Sequence, residues 1–159
     1  MDNDAAFQRS LALIVEAAPI FRDNWLLVGS AAARIAGADV GHIKDIDLLL
    51  SARDNHALKD HWRDRPILPA TPSEQFRSEI FHRFDAPLPI EAMAVFELRL
   101  PNGEWAYIEP KTRIQFGELF APDIAEQIDI LKMMDRAKDA PRIMALERLA
   151  PDNLYRPNK

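Results

Sequence analysis

The chain has 159 residues, enough to bury a core without disulfides or a structural metal, so one domain over residues 1–150 is expected, with a flexible tail at 151–159. Hydrophobic residues make up 48% and charged residues 28%, a globular balance that argues against disorder, and no apolar run reaches the length of a membrane span. The lack of cysteine excludes disulfides, a thiolate nucleophile and Cys-ligated zinc, and a net charge of −5 makes the whole chain a poor binder of polyanions.

The first residues, Met1, Asp2, Asn3 and Asp4, are acidic where a secretory or mitochondrial leader is basic, which gives the cytoplasm as the expected location. Phe7, Leu11, Ile14 and Ala18 follow at helical spacing, so a helix is expected over 4–18 before Pro19. Asn24 to Val28 is a short apolar run of the kind that forms a strand buried on both faces. It stops at Gly29-Ser30. Ser30 suits the N-cap of a helix from Ala31 to Ala36, and Gly37 suits its end.

A second strand is expected from Asp45 to Leu50, then a helix capped by Asp54 or Asn55 that carries Leu58 and Trp62 on one face. Three prolines make 66–73 a loop. Strands follow: Phe76, Ile80 and Phe84 in one, and Ile90, Ala92, Ala94 and Phe96 at a period of two in the next. Asn102-Gly103 marks a hairpin between Leu98–Leu100 and Trp105–Ile108. The remainder reads as helical, with Ile124, Ile128 and Leu131 on one face and Asp139-Ala140-Pro141 opening a last helix bearing Ile143, Leu146 and Leu149. Together these elements give an α/β (α+β) fold, a short mixed sheet flanked by helices with a helical C-terminal end.

The chemistry concentrates at Asp45 and Asp47. Two residues apart on a strand, they project from one face. Carboxylates forced together need a cation between them, and a hard divalent ion such as Mg²⁺ or Mn²⁺ with oxygen ligands is the natural partner. The plainer reading makes Asp45 a turn cap and Asp47 the partner of an arginine. Upstream, the strand running through Gly29-Ser30 into a helix offers free backbone N–H groups, a close approach at Gly29 and a hydroxyl at Ser30 to an anion.

Leu27-Val28-Gly29-Ser30, a short helix and then Asp45-Ile46-Asp47-Leu48-Leu49 resemble the signature of the DNA polymerase β-like nucleotidyltransferase superfamily over residues 24–50. The resemblance implies that fold, a nucleoside triphosphate (NTP) substrate, and a third carboxylate on a later strand that joins the pair in holding two magnesium ions. Glu91, an acid in the otherwise apolar Leu88-Pro89-Ile90-Glu91-Ala92-Met93, is the choice for that third ligand, with Glu97 and Asp85 as rivals. The family more often has Asp here. An edge-strand charge is the alternative role for Glu91.

Lys132, followed by Arg136, Lys138 and Asp139, resembles the helix lysine and Arg-x-Lys-Asp corner of small bacterial nucleotidyltransferase-like proteins, which implies that Lys132 reaches the triphosphate. Asp139 itself reads best as the N-cap of the last helix. The histidines show no metal spacing, and His42 reads as a loop residue. The function expected is transfer of a nucleoside monophosphate from Mg-NTP to an acceptor hydroxyl. The alternatives are a catalytically silent binding module, such as the antitoxin-like half of a toxin–antitoxin pair, and an interaction domain in which the acids are structural. Nothing in the sequence identifies the acceptor.

Overall fold

The computed structural model describes residues 1–70 and 73–149; the expected tail at 151–159 lies outside them. Helix α1 spans Asn3–Ala17, started by the Asp2 carboxylate accepting from the Ala5 N–H and closed by a short 3₁₀ turn through Pro19. Strand β1 (Leu26–Val28) runs directly into α2 (Gly29–Ile35), and β2 (Ile46–Leu49) leads to α3 (Ala52–His61). Then come β3 (Ile67–Leu68), β4 (Phe76–Phe84), β5 (Ile90–Arg99), β6 (Trp105–Tyr107), β7 (Ile114–Phe116), β8 (Leu119–Ala121), α4 (Ile124–Met134) and α5 (Ala140–Glu147).

The main sheet runs in the order β1-β2-β5-β4-β3, with β6 also paired to β5. Its parallel pair is β2 with β5, and the other pairs are antiparallel, so the sheet is mixed as expected. Helices α1 and α3 cover one face, where Phe7, Ile14, Leu58 and Trp62 pack with Ile46, Leu48, Ile90 and Phe84. Helices α4 and α5 cover the other through Ile128, Leu131 and Leu146 against Leu26, Val28, Met93 and Leu98. Burying each such large side chain is worth roughly 1.5–3 kcal/mol, which gives the sheet two independent sources of stability. The alanines of α2 are fully buried, and their small size lets that helix lie close to the sheet beside β2.

Several local expectations are corrected. Ser30 caps nothing, because α2 begins at Gly29 and so Ser30 already lies in the first turn. Ser51 caps α3, accepting from the Asp54 N–H, while Asp54 is buried and accepts from the backbone N–H groups of Arg22 and Asp23. Within the proline-rich 66–73 stretch, Ile67 and Leu68 pair with Phe84 and Arg83, since the prolines on either side leave two donors free for an edge ladder. The β7–β8 hairpin about Gly117 escaped sequence reading; its strands are only three residues long, too short to show a period.

The period of two along β5 also fails beyond Ala94. Ile90 and Ala92 belong to the core under α1 and α3, but Phe96 and Leu98 belong to the opposite one. Val95 causes the switch. Its φ of 56° is a left-handed conformation that a β-branched residue rarely adopts, and it turns the residues that follow onto the face that Met93 already occupies.

Candidate active site

Strand pairing assembles the acids. In the parallel β2–β5 register Asp47 lies opposite Glu91, and Asp45 sits just before β2 on the same face as Asp47. One carboxylate oxygen from each of Asp45, Asp47 and Glu91 falls within 4.8 Å of the others. The structure thus brings Glu91 to the pair. Its strand lies between β2 and β4, so it is not an edge charge, whereas Glu97 is paired with Arg77 at 2.8 Å and Asp85 lies just past the end of β4.

Arg83 was not anticipated from sequence. It faces Glu91 across the β4–β5 pair and its guanidinium lies 2.8 Å from Glu91 and 3.5 Å from Asp45. An arginine therefore does neutralise this cluster, but through Glu91 and Asp45; among the described residues Asp47 makes no ion pair. Burial above all, then the Asp45 charge and a hydrogen bond to Glu91, hold the Asp47 carboxyl well above the ordinary carboxylate range. Asp45 is raised as well, first by burial and then by Glu91, with Arg83 opposing. Such raised values mark carboxylates that lack a sufficient counter-charge. Three hard oxygen donors converging at this spacing suit Mg²⁺ or Mn²⁺.

Gly29 lies against Asp47. Its φ is +67°, a backbone conformation that favours glycine, and a Cβ there would meet the Asp47 Oδ2 at 2.9 Å and push that carboxylate aside. Gly29, Ser30, Asp45 and Asp47 line a cleft of about 350 Å³ between the sheet and α4–α5. The same cleft carries four cationic side chains: Lys44, Arg136, Lys138 and Arg142. His42 lies on an exposed loop and also lines it. Burial lowers the affinity of Arg142 for its proton, while Asp139 and Asp47 oppose that effect. Asp139 is buried and accepts both arms of Arg136 at 2.7 and 2.8 Å. It stands at the N-cap position of α5 without capping it, because its carboxylate is committed to that fork.

Lys132 is exposed on α4 and is not among the residues that line the cleft. Of the residues expected at the site, Gly29, Ser30, Asp45, Asp47 and Glu91 come together and Lys132 does not join them. Arg142 gave little signal in the sequence beyond its place after Pro141 at a helix start, and Lys44 only its position beside Asp45.

No family model matches this chain, and no curated protein matches it. Among solved structures it superposes on the Thermotoga maritima protein TM1012, described only provisionally as a nucleotidyltransferase, with a TM-score of 0.66 at 16% identity over 92% of this chain and 93% of that one. The fold is that of the nucleotidyltransferases. A second structure with the nucleotidyltransferase fold, the lincosamide antibiotic adenylyltransferase LnuA with lincomycin bound, superposes with a TM-score of 0.58 at 12% identity, over 89% and 94% of the two chains. At these identities the likeness concerns architecture.

Proposed function

We propose that the protein is a metal-dependent nucleotidyltransferase of the DNA polymerase β-like kind, which transfers a nucleoside monophosphate from an NTP to an acceptor hydroxyl. The observation that carries this reading is the meeting of Asp45, Asp47 and Glu91 within 4.8 Å beside Gly29. The names of the two fold neighbours support the same class of reaction.

In this reading Asp45, Asp47 and Glu91 hold Mg²⁺ or Mn²⁺, which supplies Lewis-acid stabilisation of charge on the transferring phosphoryl group. Gly29 lets a phosphate approach the backbone and Ser30 donates a hydroxyl hydrogen bond to it. Lys138 and Arg142 neutralise the triphosphate tail, the role that the sequence resemblance gives to Lys132. The acceptor oxygen bonds to the α-phosphorus as the bond to pyrophosphate breaks, and the hydroxyl proton passes to a carboxylate of the triad.

One observation favours the second reading, an inactive binding module of antitoxin type acting on a protein partner: Arg83 already supplies Glu91 and Asp45 with a cation. Thermal melts across a panel of NTPs, with and without Mg²⁺ or Mn²⁺, separate the two, followed by assay of labelled transfer. Stabilisation that requires both nucleotide and metal is expected. Equal stabilisation by nucleotide alone, or none by any NTP, would favour the binding module.

A further inference from the structure

A second cleft, of about 460 Å³, also borders Asp45 and Asp47. It shares Asp45, Asp47, Phe76 and Phe96 with the first and adds Glu91. The stacked rings of Phe76 and Phe96, 5.9 Å apart, therefore border both. Beyond them the two clefts differ in charge. The first holds four cations, of which Arg136 is engaged by Asp139 while Lys44, Lys138 and Arg142 make no ion pair among the described residues and suit phosphates. In the second, the one cation among the described lining residues is Arg77, which is engaged by Glu97 at 2.8 Å and lies 4.2 Å over the Trp105 ring. The apolar part of its wall includes Phe81, Met93 and Phe96.

The backbone at Val95 contributes to this wall. Without the left-handed turn there, simple alternation would send Phe96 to the opposite core, away from Glu91 and Met93. A strained β-branched residue thus stands where its effect is to aim an aromatic side chain at the cleft beside the carboxylates.

The geometry points to the second cleft as the acceptor site, and to the acceptor as a small hydroxyl compound with an apolar body and no phosphates of its own. This rests on the nucleotide reading above. The volume is in the range of small-molecule sites, roughly 300–1,000 Å³. A polynucleotide acceptor needs unpaired Lys or Arg along its backbone, and this cleft offers none among its described lining residues. An apolar body resting on Phe81, Met93 and Phe96 would set its hydroxyl beside Asp45, Asp47 and Glu91, facing the nucleotide held in the first cleft.

The test uses the neutral alcohol 2-(2-naphthyl)ethanol as probe, titrated by ligand-observed NMR into the protein saturated with Mg²⁺ and a non-hydrolysable ATP analogue carrying an α,β-methylene bridge. A deoxyoligonucleotide with a free 3′ hydroxyl is the competitor. Binding of the alcohol is expected to weaken about tenfold or more in Ser78→Trp, which fills the cleft, and in Phe81→Ala, which removes a wall and serves if the indole disturbs packing. The oligonucleotide should not displace the alcohol. Displacement by the oligonucleotide, or wild-type affinity for the alcohol in both variants while each melts as a folded protein, would overturn the acceptor assignment alone. Failure of the ATP analogue to bind the wild type would instead overturn the nucleotide reading, and the acceptor role with it.

Discussion

At Asp47 the sign of a single substitution distinguishes a ligand-binding carboxylate from a structural one. Burial and two neighbouring acids raise its proton affinity, so the unfolded chain releases that proton at a lower pH than the folded one does. In the metal-free protein the stability that Asp47 contributes is therefore fully present below the ordinary Asp range, and is lost as pH rises from there through the raised folded value. Asp47→Asn removes that loss: denaturant melts without metal should show a mutant at least as stable as wild type at neutral pH, with a flatter pH profile. Nucleotide-dependent stabilisation should vanish in the same variant. Destabilisation by about 1–3 kcal/mol in the apo state would instead mark Asp47 as a satisfied structural acceptor. Gly29→Ala tests the neighbouring atom. A left-handed backbone costs a non-glycine residue about 1–2 kcal/mol, and the new methyl also pushes on the Asp47 carboxylate, so both the melting temperature and metal affinity in calorimetry should fall.

At the scale of elements, the strand that gathers the site is also the one that departs from its sequence pattern. The acids on β2 and the glycine before α2 were legible because they are local: Gly29-Ser30 and Asp45-Ile46-Asp47 fall within one strand–helix–strand passage whose spacing dictates the geometry. Glu91 was legible only as an acid in an apolar run. Arg83 was not legible at all, because its place opposite Glu91 depends on the β4–β5 register, which no local pattern gives. The side-chain switch at Val95 is hidden for the same reason, since valine is an ordinary strand residue. Val95 is 42% exposed, so Val95→Asn gives up little packing and fits the left-handed backbone better. A gain of about 1 kcal/mol in chemical denaturation is expected, with Phe96 still facing the cleft. The C-terminal elements make a parallel contrast. Lys138→Ala and Arg142→Ala should each weaken Mg-NTP binding by about tenfold, the scale of one charge-assisted contact, whereas Lys132→Ala should stay within about twofold. A larger effect from Lys132 than from the other two would return the triphosphate to the α4 surface.

For the molecule as a whole, the decisive feature is the parallel pairing of Asp47 with Glu91, two residues separated by a helix, an edge strand and all of β4. The proposed metal site has no local precursor. An unfolded or half-folded chain can present Asp45 and Asp47 together, but it gains Glu91 only when the sheet closes over that long intervening segment. Contacts of this kind form late, because the entropy of loop closure opposes them until the rest of the sheet is in place. A ligand that needs all three carboxylates cannot assist the search for the fold; it can only hold the finished fold together. In stopped-flow experiments Mg²⁺ with NTP should therefore leave the refolding rate unchanged and slow unfolding, by about tenfold for each 1.4 kcal/mol of binding energy lost at the transition state. Faster refolding in the presence of the ligands would mean instead that β2 and β5 pair early. With refolding unchanged and unfolding slowed, cells meet this protein in two lifetimes, a short one when nucleotide is scarce and a long one when the site is filled, with no change in how quickly new chains mature.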